Sequence, residues 1–341
     1  MPPYVSRAAM LRNQLSAASN VRRRFTHNMP RTLPIFSLEG KTCVVTGASQ
    51  GLGAQILAAF ALSGAKGAVV DLSKESADKS LKNIKQEVTD AGLPEPELRG
   101  YECNTASEEM VTKTWDQIVK DFKRVDVLVT NAGLAGGSAA EDYDFKEWQK
   151  ILDVNVNGTF LFARVAGKHM IEQGIKGNII MVSSMSGSIV NRPQKQSAYN
   201  VSKAAVAHMM RSMATEWGEH GIRVNALSPG YIQTAKTQGE EMEKMSKEWL
   251  GMIPLQRIAK PEEFRGTVVW MASDASSYLT GSDIVVDGGY TACNWLAEYR
   301  DEDPKTTSLA VGVNGQDTGG ASFIDSRVTP RPRTNTYCNL R

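Results

Sequence analysis

From residue 41 the chain alternates short apolar runs, rich in β-branched residues, with longer stretches whose apolar positions recur at helical spacing. TCVVTG (42–47) reads as a strand, and after a glycine turn AQILAAFALSG (54–64) reads as a helix closed by Gly64. GAVVDL (67–72) is a second strand, and SKESADKSLKNIKQEVTDAG (73–92) a polar-faced helix ending at Gly92. A short strand follows near ELRGYEC (97–103), then a helix over 106–123, strand VDVLVT (125–130) and a long helix over 145–172. Strand NIIMVS (178–183), helix 196–220, strand IRVNALS (222–228), helix 261–273 and a last strand DIVVD (283–287) complete the series.

Strands that are apolar at consecutive positions are buried on both faces, and their alternation with helices predicts a parallel, doubly wound sheet. The expected fold is therefore α/β, a single Rossmann-type domain over 36–292. Right-handed crossovers then bring all strand C-termini to one edge, where ligands bind. No internal repeat is evident. Two segments stand outside the pattern. Residues 231–256 form a long excursion of helical character at the ligand edge, expected to be a substrate lid. Residues 293–341, rich in Thr, Gly, Asn and Arg, read as a disordered extension or an arm onto a neighbouring subunit.

Charge changes the picture at one end only. The net charge is +2, yet residues 1–38 carry six arginines and no Asp, Glu or Lys, so the remainder stands at −4. A basic, Ser- and Ala-rich, acid-free head over 1–35 reads as a mitochondrial transit peptide and places the body in the matrix, the alternative being a cytoplasmic protein with a basic tail. A body without excess positive charge gives no reason to expect a nucleic-acid partner, and no apolar run approaches the length of a membrane span. Cys43, Cys103, Cys293 and Cys338 lie far apart, with no CxxC pair to suggest a disulfide framework or a zinc site. The four histidines are scattered, so metal catalysis is not expected.

The candidate chemistry lies at strand ends. TGASQGLG (46–53) joins the first strand to the first helix, and glycines there let the backbone approach a pyrophosphate at the helix N-terminus. Its GxxxGxG spacing differs from the commoner GxGxxG, so position in the fold carries the reading. Twenty residues after Gly51, Asp71 ends the second strand, where a carboxylate accepts from the ribose hydroxyls and repels a 2′-phosphate; NAD is expected over NADP, with Lys74 the one nearby cation that opposes this. Asn131, Ala132 and Gly133 follow the strand 125–130 and would let the adenosine side cross the sheet edge. On a helix over 196–220, Tyr199 and Lys203 share one face. An ammonium beside a phenol favours phenolate, which would make Tyr199 a proton shuttle near neutral pH. Ser184, ending its own strand, would hold the same substrate oxygen while a nicotinamide cofactor performs the redox step.

TGASQGLG, NAG, SSMSG and YNVSK, in this order, with the later SPG (228–230) and VDGGY (286–290), resemble the short-chain dehydrogenase/reductase family over roughly residues 36–292. The resemblance implies a homo-oligomer, a tetramer or dimer, with a Ser–Tyr–Lys centre. It selects Ser184 over Ser183 and adds Asn155, from DVNVNGTF (153–160), as the anchor of a proton-relay water. It further implies cofactor contacts from Gly47, Ser49, Gln50, Gly51, Leu52, Gly53, Asp71 and Asn131–Gly133, from Tyr199 and from Lys203 on the nicotinamide ribose. Pro229, Gly230, Ile232 and Thr234 would meet the carboxamide.

For the substrate, Asn191, Gln194 and Gln196 lie between Ser184 and Tyr199, and amides in a pocket suit a ligand with several hydroxyls, although they can equally cap a loop. The run SGSIVNRPQKQSAYN is similar to fungal-type polyol and sugar-alcohol dehydrogenases, including mannitol, arabinitol and xylulose enzymes. The expected reaction is reversible oxidation of a polyol, such as D-arabinitol, to a ketose. A carbonyl reductase for an acyl or lipid ketone is the alternative, with Met242, Met245, Met252, Trp249 and Leu250 wrapping an apolar ligand. A third reading is a non-catalytic nucleotide-binding scaffold.

Overall fold

The computed structural model describes residues 32–233 and 248–293. The basic head as far as residue 31, the front of the excursion (234–247, with Thr234, Met242 and Met245) and the tail from 294 lie outside the described residues.

Seven strands form one sheet in the order β3-β2-β1-β4-β5-β6-β7, and every neighbouring pair is parallel. They are β1 (Thr42–Thr46), β2 (Lys66–Asp71), β3 (Leu98–Glu102), β4 (Val127–Thr130), β5 (Asn178–Val182), β6 (Arg223–Pro229) and β7 (Asp283–Val286). The crossover helices are α1 (Gly51–Leu62), α2 (Lys74–Asp90), α3 (Glu108–Phe122), α4 (Phe145–Leu152), α5 (Gly158–Glu172), α6 (Ser197–Trp217) and α7 (Arg265–Ala272). The doubly wound architecture expected from the sequence is the one observed.

The strand pattern explains the layering. All five residues of β1 are buried, and successive side chains point to opposite faces. Cys43 and Val45 pack with Ile56 and Phe60 of α1, Leu81 of α2 and Met271 of α7. Val44 packs on the other side with Trp115 of α3, Phe162 of α5 and Met210 of α6. Short side chains start the helices: Ser73 accepts from the Ser76 amide, Ser107 from that of Met110, and Asp144 from those of Lys146 and Glu147. Far from the strand C-termini, α2 and α5 give way to turns at Gly92 and Gly174, whose φ values of 77° and 62° are left-handed and whose surroundings are open.

Two expected helices are interrupted. The stretch 145–172 is α4, a π-helical turn at Asp153–Asn157, and then α5. The region 261–273 begins as a 3₁₀ turn, Pro261–Phe264, before α7. The strand order reverses between β1 and β4, and that reversal opens the crevice at which the candidate site lies.

Candidate active site

The loop after β1 is bolted to the loop after β4. Asn131 donates through Nδ2 to the carbonyls of Thr46 (3.0 Å) and Gly47 (2.9 Å). In return Thr46 Oγ1 accepts from the amides of Asn131 and Ala132, both at 3.0 Å. Gly47 has φ +64°, and a Cβ there would lie 2.8 Å from Ala132 Cα. A Cβ on Gly53 would lie 2.4 Å from both Asn131 Nδ2 and the Gly47 carbonyl. These two glycines therefore answer to packing. At Gly51, which starts α1, a Cβ would meet nothing within 4 Å, so the helix N-terminus stands open.

That opening is a cleft of about 760 Å³ lined by Gly47, Ser49, Gln50, Gly51, Asp71 and Asn131–Gly133 among others. A glycine cradle, a helix N-terminus and a carboxylate at the end of β2 suit the pyrophosphate and ribose of a dinucleotide. Asp71 Oδ2 accepts from the Ser49 amide (3.0 Å) and hydroxyl (2.6 Å), and Oδ1 from the Leu72 amide (2.8 Å). Leu52, expected at the cofactor, packs against the first core layer, and Gly53 is buried behind the loop, so these two shape the cleft from outside its lining. Among the lining residues not anticipated from the sequence are Cys103, Asn104 and Thr105 after β3, and Lys150 on α4. The first three follow a strand that ends at the same edge as Asp71, which was a usable signal; Lys150 carried none.

The catalytic candidates converge one strand further on. Ser184 follows β5, and its Oγ accepts from the Ser186 amide at 3.1 Å. Gly187, the glycine of SSMSG, lets this turn rest on α6: a Cβ there would lie 2.9 Å from the Lys203 carbonyl carbon and oxygen. Tyr199 and Lys203 are one turn apart on α6, with Lys203 Nζ 5.6 Å from the Tyr199 ring centroid. Lys203 is buried and donates from Nζ to the Val182 carbonyl at 2.9 Å. Burial lowers its pKa to about 8. Tyr199 departs from expectation. Burial pushes its phenol above the usual value, and the neighbouring Ser184 hydroxyl pulls only partly the other way. The expected depression fails because burial of the phenol outweighs the Ser184 contact, while the lysine ammonium is engaged by the Val182 carbonyl.

Asn155 sits in the π-helical turn, and its amide is fully engaged. Oδ1 accepts from the Leu134 amide (2.7 Å), while Nδ2 donates to the Leu134 carbonyl and to Ser202 Oγ, both at 2.9 Å. Ser202 in turn donates to the Tyr199 carbonyl at 2.7 Å. The side chain thus ties the loop after β4 to the helix that carries Tyr199. A Cβ on Gly133 would approach both Asn155 Oδ1 (3.3 Å) and Lys203 Nζ (3.6 Å), so this glycine keeps the junction open.

The amides expected to face substrate serve the loop. Asn191 is only 1% exposed; its Oδ1 accepts from Ser186 Oγ (2.7 Å) and its Nδ2 donates to the Tyr231 hydroxyl (3.3 Å). Gln196 donates to Asn200 Oδ1 at 3.0 Å and weakly to Ser186. The Gln194 amide, oriented so that every atom finds a complementary partner, donates to Tyr231 Oη (3.1 Å) and accepts from the Trp249 indole N–H (3.1 Å). Gln194 remains half-buried at the surface of this network, but Asn191 is turned inward, since a buried amide left without partners is penalised.

The rear of the excursion differs from a free lid. Trp249 is 3% exposed and stacks on Tyr231 with centroids 4.1 Å apart, and Tyr290 meets the same ring edge-on at 5.5 Å. With Met185 and Ile253 these form a third apolar cluster, against which Met252 packs. Trp249 and Met252 therefore pack within the protein. Ile232 pairs with Ala259 and leans on the first core layer, while Gly230 donates its amide to the Val286 carbonyl at 2.9 Å.

Comparison with known proteins agrees with this geometry. Residues 47–291 match a family model described as enoyl-(acyl carrier protein) reductase. D-arabinitol 2-dehydrogenase [ribulose-forming] of Candida tropicalis is 40% identical over 267 residues, 76% of this chain and 95% of that protein. An NADP-dependent mannitol dehydrogenase of Hypocrea jecorina is 39% identical over 264 residues, 76% of this chain and 96% of the relative. Among solved structures, a short-chain type dehydrogenase/reductase from Mycobacterium marinum superposes with a TM-score of 0.70 at 40% identity, over 75% of this chain and 98% of that one. With its parallel sheet, dinucleotide cleft and Ser–Tyr–Lys cluster, the chain belongs to the short-chain dehydrogenase/reductase family, as an NAD(P)-dependent oxidoreductase.

Proposed function

We propose that this protein interconverts a polyol and its ketose at a secondary alcohol, using NAD. The observation that carries the reaction is the meeting of Ser184, Tyr199 and Lys203 beside a cleft furnished for a dinucleotide. A nicotinamide dinucleotide bound there supplies the hydride acceptor and donor. Ser184 Oγ and Tyr199 Oη hold the substrate oxygen. In the reducing direction the phenol, kept protonated by burial, gives its proton to the carbonyl oxygen, and in oxidation the same oxygen recovers it. Lys203 fixes the site electrostatically and holds the ribose side, and Asn155 keeps Leu134 and α6 in register. The polyol class follows from the named relatives, and the inward packing of Trp249 and Met252 favours it over an apolar ketone.

Asp71 supports NAD, and Lys74, the cation that opposed it, is paired with Asp78. A relative of similar identity is NADP-dependent, so the residue and not the family carries this choice. Self-association as a tetramer or dimer is supported by β7, the last strand of the sheet, where Val285 is 41% exposed between Ile284 and Val286. The arginine-rich head supports delivery to the mitochondrial matrix.

Reduced-nicotinamide absorbance, followed with the purified chain, NAD or NADP, and a panel of arabinitol, mannitol, sorbitol, xylitol and their ketoses, tests the proposal. We expect NAD-dependent turnover of at least one polyol, a loss of about 10²–10⁴-fold in Tyr199→Phe, and a collapse of the NAD-over-NADP preference in Asp71→Ala. Turnover of apolar ketones alone would overturn the substrate class. An unchanged cofactor ratio in Asp71→Ala would overturn the role of that carboxylate.

A further inference from the structure

The loop that follows β6 and the loop that follows β5 are joined by a chain of hydrogen bonds that ends at Ser184. Tyr231 stands two residues beyond Pro229, in a segment pinned by reciprocal backbone bonds: Gln233 N to Ala259 O (2.8 Å) and Ala259 N to Tyr231 O (3.1 Å). Its ring is fixed between Trp249 and Tyr290. Its phenol oxygen accepts from Asn191 Nδ2 and from the Gln194 amide. Asn191 Oδ1 then accepts from Ser186 Oγ, and the Ser186 amide donates to Ser184 Oγ. Each link is within hydrogen-bonding distance, and Asn191, Ser186 and Ser184 are all buried. Burial makes these bonds hard to replace by water.

We infer that Tyr231 is a positioning residue: its hydroxyl, held by the aromatic stack, fixes Asn191 and through Ser186 sets the Ser184 hydroxyl at the angle that substrate requires. The inference rests on Ser184 as the group that holds the substrate oxygen. Its physical basis is the asymmetry of buried amides. Without the phenol oxygen, the N–H groups of Asn191 and Gln194 lose their shared acceptor, and the loop 185–196 must relax to find others. The phenyl ring alone keeps the contact with Trp249, so Tyr231→Phe removes the hydrogen bonds and leaves the packing.

The test uses the full chain, with NAD and the best polyol of the panel above, in the parent, Ser184→Ala, Tyr231→Phe, Asn191→Ala and the Tyr231→Phe/Asn191→Ala double variant. Tyr231→Phe should lower kcat about tenfold, a barrier increase of about 1.4 kcal/mol, with KM for NAD unchanged within twofold. Asn191→Ala should do the same, and the double variant should be no worse than either alone, because the two act through one chain. Amide hydrogen exchange over 185–191 should rise in Tyr231→Phe, a readout that needs no substrate. Equal kcat in parent and Tyr231→Phe, or multiplicative losses in the double variant, overturns the inference while Ser184→Ala remains inactive. An active Ser184→Ala overturns the reading beneath it. A fall in melting temperature with kcat untouched makes Tyr231 a packing residue only, which also overturns the inference.

Discussion

Replacing Asn155 by alanine removes three hydrogen bonds from one buried position. The Leu134 amide and carbonyl and the Ser202 hydroxyl each lose a partner at 2.7–2.9 Å, and the side chain is 1% exposed, so water cannot readily take its place. At about 1 kcal/mol for each bond, the expected destabilisation is about 3 kcal/mol. For a domain of this size that is a fall in melting temperature of about 6–12 °C. Scanning calorimetry measures it directly. The companion variant Ser202→Ala removes the bond from Asn155 and the one to the Tyr199 carbonyl. The two variants share one interaction, so the double variant should recover about 1 kcal/mol relative to the sum. Because the lost bonds join the loop after β4 to the helix of Tyr199, turnover of the folded fraction should fall as well. A melting temperature within 2 °C of the parent, or strict additivity of the two variants, refutes the account.

Two further outcomes follow from the same region. Lys203 is buried, with its pKa lowered to about 8 from an ordinary 10.5, so between these values the unfolded chain holds the extra proton and stability rises with pH. Relative to Lys203→Met, the parent should therefore gain about 3 kcal/mol in denaturant titrations taken from pH 8 to pH 10.5; a flat difference would refute the burial argument. In Gly187→Ala the new Cβ meets the Lys203 backbone at 2.9 Å, and overpacking of about 1–3 kcal/mol should lower the denaturation midpoint, whereas an unchanged midpoint means the turn can yield.

The parallel sheet and the Ser184, Tyr199 and Lys203 positions were legible because they rest on local signals: β-branched runs, a glycine turn and an i,i+4 spacing. The π-helical turn was not, since VNVN offers no breaker and the geometry is set by Asn155 reaching Leu134 and Ser202, distant in sequence. Asn191 looked like a substrate ligand because its amide was visible and its partners were not: Tyr231 lies 40 residues downstream. The same distance hid the fate of Trp249, which helical spacing alone could assign to a lid or to a core. The sign of the Tyr199 shift was missed because spacing reports proximity to Lys203 and says nothing of how far the phenol is withdrawn from water.

The turns after α2 and α5, at Gly92 and Gly174, lie beyond the opposite end of the strands, with open space around each. A five-residue strand separates the two edges by about 16 Å. An affinity tag, a fluorophore or a tether to a solid support inserted at either glycine would therefore leave the reacting edge facing free solution. The molecule offers one face for attachment and the other for traffic of cofactor and substrate.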